Sequence, residues 1–267
     1  FSVHTFSAMI TIPLFSLTML SAFDEEGYWR GNVLHLVAPF FLIVLFFIGL
    51  SSGALVSNMV AIIVLLALFR PSRKKLALFF TTLVLAAACL SVVLLLSGHW
   101  PSVKERIQGE IAQLTALDDP DVLTSKRSQI WEAAFFCARR HPAGIGWDQF
   151  EKTVKYYIGE KQLVQERCFS SIHNEYLTLL VEGGIPSLGA YLLFLWGCFS
   201  ILHSLTRRKE RLKSALLGSA FAGIMVFALV ATIFDERRIL AIYFWTIFGA
   251  ILSQHESVKK PGREVLL

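Results

Sequence analysis

The sequence predicts an all-α fold: a polytopic membrane helical bundle with one large helical loop between its spans. Three observations predict it. The chain of 267 residues is 55% hydrophobic and only 17% charged, with a mean hydropathy of +0.58, whereas a soluble domain carries roughly 25% charged residues. The apolar residues are packed into runs of about 18–22 separated by short charged stretches, as transmembrane helices require. Lysines and arginines collect at the ends of those runs. Helices are the element that fits, because each backbone polar group in hydrocarbon must be satisfied within its own segment.

Seven spans follow in order, four of them within residues 1–97. The first covers Val3–Ala22 and is followed by the acidic connection Asp24-Glu25-Glu26. The second covers Val33–Leu50 and the third Ala54–Phe69, with Ser51-Ser52-Gly53 as the turn between them. The basic cluster Arg70, Arg73, Lys74, Lys75 precedes the fourth, Leu76–Ser97. Residues 98–172 then change character and read as a loop domain of short amphipathic helices near Val103–Leu117, Lys126–Arg140 and Trp147–Ile158. Ser125 is the expected N-cap of the second of these. Asp118-Asp119-Pro120 and His141-Pro142-Ala143-Gly144 are the turn signals. A structureless loop of that length would be unusual.

Residues 173–255 hold three more spans, and 256–267 a tail. The apolar run from Asn174 to Leu205 is too long for one straight span, and Gly183-Gly184-Ile185-Pro186 interrupts it. A short interfacial helix, a break and then the true span are expected. Ala215–Phe234 and Ile239–Leu252 follow, joined by the charged turn Asp235-Glu236-Arg237-Arg238. With these spans the clusters at Arg70–Lys75, at Arg207–Lys213 and in the tail (Lys259, Lys260, Arg263) fall on one side. The positive-inside rule makes that side cytoplasmic and places the large loop outside, in the periplasm of a Gram-negative cell. The Asp24–Asn32 connection is inside by parity alone.

The net charge of +5 is explained by the same rule and does not point to nucleic acid. The chain opens at Phe1, without the charged n-region of a signal peptide, and reads as the C-terminal part of a longer protein. The four cysteines show no CxxC or metal-ligand spacing. Cys137 and Cys168 of the loop are either a pair in an oxidising compartment or two unrelated buried thiols.

Three features on the outer side carry candidate chemistry. His173-Asn174-Glu175 stands where the loop re-enters the membrane. His173 reads either as an interfacial histidine bonded to its neighbours or as a base. A helix N-terminus disfavours the imidazolium, so a histidine there stays neutral and accepts a proton. Arg237 and Arg238, in a tiny outer turn, run against the positive-inside trend. They either form ion pairs with Asp235 and Glu236 that cap two helices, or contact a ligand. Arginine suits a phosphate ligand through its planar fork of parallel donors. Arg127 begins a loop helix whose buried side is Ile130, Ala134 and Cys137, widened by Trp131 and Phe135. No phosphate-binding glycine loop appears, and Asp119-Pro120-Asp121 reads as a turn rather than a metal pair. A diphosphate bound here would be neutralised by arginines.

Three stretches carry a resemblance. They are Ser125-Lys126-Arg127-Ser128-Gln129-Ile130-Trp131-Glu132, Arg140-His141-Pro142-Ala143-Gly144-Ile145-Gly146-Trp147, and His173-Asn174-Glu175-Tyr176-Leu177 continuing to Glu182-Gly183-Gly184-Ile185-Pro186. Together they resemble the O-antigen ligase and O-antigen polymerase family of bacterial membrane glycosyltransferases. The resemblance implies a helical bundle of the membrane glycosyltransferase C type in the bacterial inner membrane, working without metal, nucleotide or other cofactor. It implies transfer of a polysaccharide from undecaprenyl diphosphate to a lipid A–core hydroxyl on the periplasmic side, with inversion. By matching motif, Arg127 is the loop arginine on the diphosphate and His173 the base. Asp235 matches an acidic residue before the last span, and Asn174, Asp235 and Glu182 are supporting residues. Arg237 and Arg238 join the diphosphate set from the charge argument alone.

The chain departs from the family at Ser52, where an arginine is usual, and at Ser187, where glycine, threonine or tyrosine is usual. Besides a purely structural membrane protein, which would leave the loop motif unexplained, two rivals remain. One is a polymerase, whose acceptor is another carrier-linked glycan. The other is a solute transporter, which would show broken helices or paired charges at mid-membrane.

Overall fold

The computed structural model describes residues 52–70, 73–98, 100–115, 127–154, 171–207, 211–231 and 238–259. Among them the chain is all-helical: α1 (Ser52–Phe69), α2 (Arg73–Leu96), α3 (Trp100–Thr115), α4 (Ser128–Arg140), α5 (Glu175–Glu182), α6 (Gly184–Arg207), α7 (Arg211–Phe227) and α8 (Arg238–Lys259). The first two expected spans lie outside the described residues. The residues of the other five lie mostly in α1, α2, α6, α7 and α8. Among the described residues α6 alone is long and apolar enough to cross a membrane. Val56–Phe69, Ala87–Leu96, Ser214–Phe227 and Phe244–Gln254 are shorter apolar helices.

α6, α7 and α8 run up, down and up. Near one end, Tyr191 and Phe194 of α6 meet Phe244 of α8 with ring centroids 6.3 and 5.7 Å apart. Near the other, Cys198, Leu202 and Leu205 share a core with Ala220 of α7 and with Ile247 and Ile251 of α8. Ser214 at the start of α7 donates to the Leu202 carbonyl at 3.2 Å. α1 lies against α7, where small residues let the helices approach closely. A Cβ on Gly218 would stand 3.0 Å from Leu68 Cδ1. Leu68, near the end of α1, therefore meets the middle of α7. The end of α6 and the start of α7, at Arg207 and Arg211, lie at one end of the bundle, and α6 and α8 both begin at the other. Leu192, Leu193, Trp196 and Phe199 of α6 stay exposed. An apolar surface of that extent marks contact with lipid or with another chain.

Outside the bundle, α4 and α5 enclose a separate core. Ala133, Ala134 and Cys137 of α4 pack on Leu177 and Val181 of α5, and Phe150 and Val154 close it. The loop expected to be an ordered helical unit has this core among its described residues.

Several boundaries differ from expectation, each for a local reason. α1 already includes Ser52 and Gly53, where a turn was expected. The expected cap of α4, Ser125, lies outside the described residues. Arg127 takes the N-cap position with no side-chain cap bond. The third loop helix does not begin at Trp147, because Asp148 is left-handed (φ 58°) and turns the chain first; it is helical at 150–154. α7 stops at Phe227 rather than Phe234. There Leu229 and Val230 donate back to Val226 and Phe227 in tight i→i+3 bonds, which frees carbonyls for other partners.

Candidate active site

The site is built where three helix ends meet. The chain enters α5 through Ser171, Ile172, His173 and Asn174. Asn174 is an N-cap with extended backbone. Its Oδ1 accepts from Leu177 N at 3.1 Å, and its carbonyl accepts from Thr178 Oγ1 at 2.9 Å. The supporting part expected of Asn174 is therefore structural in its described bonds. The first helical amide, that of Glu175, donates at 2.8 Å to the Ala228 carbonyl in the turn ending α7. An orphan donor of one helix thus satisfies an orphan acceptor of another.

Arg127 reaches the same turn from a third direction, with Nη1 donating to the Val230 carbonyl at 2.8 Å. Trp131, one turn further along α4, donates its indole N–H to the Ile172 carbonyl at 3.1 Å. These bonds gather the sequence-predicted Arg127, the bend carrying His173 and the Ala228–Val230 turn at the end of the bundle where α6 and α8 begin.

His173 sits one residue before the cap with φ 53°. Left-handed backbone is uncommon outside glycine and costs of order 1–3 kcal/mol where it is enforced. Its amide donates to Ser171 Oγ at 3.3 Å. The side chain is partly exposed, as a group that meets a substrate must be. The bend thus holds a solvent-reachable imidazole at the positive end of α5.

The glycines of the second and third stretches serve a backbone interlock. Ile145 and Gly146 donate to the Val181 and Glu182 carbonyls, each at 3.0 Å, and Ile185 donates to the Pro142 carbonyl at 2.9 Å. A Cβ on Gly144 would collide with the Glu182 carbonyl and with Gly184 N, and one on Gly184 would collide with Ala143 and Gly144. Both glycines are left-handed, at φ 88° and 73°. Glu182, expected as a supporting residue, is buried, and its carbonyl takes part in this interlock. The turn after α4 is thereby fixed to the break between α5 and α6.

Asp235 and Arg237 lie outside the described residues. Arg238 opens α8 at this end of the bundle, and its side chain is likewise outside the description. Cys137 is a free buried thiol in the loop core, and burial pushes it up to about 11. It is thus an inert core residue rather than a nucleophile. Cys168 lies outside the described residues.

Sequence reasoning missed two participants. The Ala228–Val230 turn contributes through carbonyls, which no side-chain pattern reveals. Glu175 is only 2% exposed; its signal was an acidic residue in the first turn after an Asn cap, where the helix dipole favours a carboxylate. Tyr176 beside it donates to the Met225 carbonyl at 3.2 Å. The Tyr176 hydroxyl is held above its usual range by burial and then by the charge of Glu175.

No curated protein and no solved structure matches the chain. The family model described as O-antigen ligase matches residues 37–192, more than half of the sequence. The matched stretch begins ahead of α1, ends in α6 and contains Arg127, the glycine interlock and His173. On that match the chain belongs to the O-antigen ligase family, whose members are glycosyltransferase-like enzymes of bacterial membranes.

Proposed function

We propose that this chain is an O-antigen ligase-type glycosyltransferase that moves a glycan from undecaprenyl diphosphate to a hydroxyl of a lipid A–core. The observation that carries the proposal is the junction at the Ala228–Val230 turn. Arg127 and the strained His173 bend are tied to one turn, at the end of the bundle away from Arg207 and Arg211. In this reading the basic junctions are cytoplasmic, the chain crosses the membrane seven times, and the site opens to the periplasm.

The donor's isoprenoid tail lies in the bilayer and its diphosphate meets Arg127, with Arg237 and Arg238 completing the grip. These cations stabilise the leaving diphosphate as its bond to the anomeric carbon breaks. His173 takes the proton of the acceptor hydroxyl as its oxygen attacks that carbon, so configuration inverts. A histidine suits this step because the proton must be accepted near neutral pH. Asn174 fixes the helix start that orients His173. No metal is required in this scheme.

The test is a lipopolysaccharide gel from a strain lacking the gene, complemented with wild type or with His173→Ala. Loss of all O-antigen on the core, with carrier-linked glycan accumulating, is the expected outcome for the deletion. The His173→Ala strain should resemble it, with turnover lowered roughly 10²–10⁴-fold. Cores capped by a single repeat would assign polymerase instead. An unchanged ladder would remove both readings.

A further inference from the structure

The interlock leaves a cluster of apolar residues uncovered. Pro142, Ala143 and Trp147 on the turn after α4, and Ile185 and Pro186 in the first turn of α6, are all exposed. Trp147 and Ile185 each keep 61% of their surface open. The backbone gathers them. Ile185 N donates to the Pro142 carbonyl at 2.9 Å, and Gly146 N, just ahead of Trp147, donates to the Glu182 carbonyl at 3.0 Å. A single exposed apolar residue is ordinary, whereas several on one locked turn mark a contact surface. Asp148 and Glu151, next along the chain, are exposed and charged, so the surface becomes polar directly after Trp147.

The place of the cluster on α6 says what covers it. α6 is the described helix long and apolar enough to cross a membrane. Its 24 residues span about 36 Å at about 1.5 Å each, against a hydrocarbon core of about 30 Å. With Arg207 in the inner headgroups, Ile185 and Pro186 emerge at the outer boundary. The exposed apolar surface of α6, with Leu192, Leu193 and Trp196, therefore continues into the cluster. Tryptophan is enriched at that level, because its ring is apolar and its N–H is polar. The other four members of the cluster offer no donor or acceptor side chain for the hydroxyls of a sugar, which favours lipid over a glycan stacked on the indole. We propose that this turn is seated in the outer leaflet of the bilayer, with Trp147 and Ile185 at the boundary between headgroups and hydrocarbon. A residue there is still wetted from the periplasmic side. The same lock holds the end of α5, so the seat sets the depth of the helix that begins after His173. A lipid carrier's diphosphate lies at that headgroup level. The inference rests on the reading in which α6 crosses the membrane with Arg207 in the cytoplasm.

The test places single spin labels on the full chain in phosphatidylcholine vesicles. Cys89 and Cys168 are replaced by serine, while the buried Cys137 and Cys198 stay. Labels are carried by Trp147→Cys, Ile185→Cys, Leu193→Cys or Glu151→Cys, all at exposed positions where little packing is displaced. Contact with oxygen, which partitions into lipid, is compared with contact with a water-soluble nickel chelate. Position 193 is expected in hydrocarbon and position 151 in water. Positions 147 and 185 are expected within about 5–10 Å of the boundary between headgroups and acyl chains. If 147 or 185 is as accessible to nickel as 151 while 193 lies in lipid, the seat is absent and the proposal falls. Shielding of 147 from both probes means a protein partner, and shielding that appears only with added lipopolysaccharide means a glycan platform; each overturns the proposal. A label at 193 that meets nickel shows instead that α6 does not cross, and the membrane reading itself fails. A second measurement needs no cysteine. The tryptophan emission lost in Trp147→Phe should be quenched more by lipid brominated near the headgroup than by lipid brominated deep in the chain, and emission untouched by either overturns the proposal.

Discussion

His173 has a left-handed backbone and is partly exposed. Where packing alone decides, glycine is the residue that fits φ 53° at no steric cost. A histidine kept there trades stability for something else. This yields a paired prediction. His173→Gly and His173→Ala should both abolish transfer to the same extent. Glycine should nevertheless melt higher than alanine in detergent, by a temperature shift equivalent to about 1 kcal/mol. Equal melting temperatures would mean that the bend relaxes on substitution and stores no strain. The residue-type reasoning that selected His173 and Arg127 worked because both carry chemistry in their side chains. It passed over Glu175 because an acid in a first helical turn is a common stabilising choice. Burial, which no local pattern records, is what separates Glu175 from that background.

The turn after α4 and the break before α6 behave as one element, since each supplies hydrogen bonds to the other and each has a glycine where the other's backbone passes. Gly144→Ala and Gly184→Ala should therefore each cost roughly 3 kcal/mol or more, by combining a left-handed alanine with a backbone collision. Gly197→Ala, on the exposed side of α6 with open space around it, should be neutral or slightly stabilising by about 0.5–1 kcal/mol. Thermal unfolding of the purified protein measures all three. A tolerated Gly144→Ala would mean that the interlock opens freely. Helix existence was legible in the sequence because apolar periodicity and the turn residues mark it: α4, α5, the break at Gly183 and α6 stand where those signals put them. Helix ends were less legible. The end of α7 at Phe227 is fixed by what its terminal carbonyls bind, namely Glu175 N and Arg127, which are 53 and 103 residues away from their partners in the chain. The interlock was present in the sequence only as glycines, whose close approach becomes evident once the two segments are side by side.

At the scale of the whole chain, charge and packing divide the bundle in the same way. The bond from Ser214 to Leu202 holds the end of α6 and the start of α7, with Arg207 and Arg211, at one end. The Ala228 and Val230 carbonyls, the start of α6 and the start of α8 occupy the other. Moving a lysine- or arginine-rich junction across the bilayer is strongly disfavoured during insertion, so the two ends should face different compartments. The donor's glycan has to reach the site from the compartment in which the acceptor hydroxyl lies, which ties the proposed reaction to that orientation. Single cysteines test it directly. In a background where Cys89, Cys137, Cys168 and Cys198 are replaced by serine, a cysteine is placed at the exposed Trp147 or Glu151 of the loop, or at the exposed Arg70 or Arg207 of the basic junctions. Cells with a permeabilised outer membrane are then treated with a membrane-impermeant maleimide. Labelling at 147 and 151, with 70 and 207 protected until the inner membrane is disrupted, is the expected pattern. The reverse pattern would put the Arg127–His173 junction in the cytoplasm, away from any lipid A–core acceptor on the periplasmic leaflet, and the ligase reading would fall even if His173 proved essential.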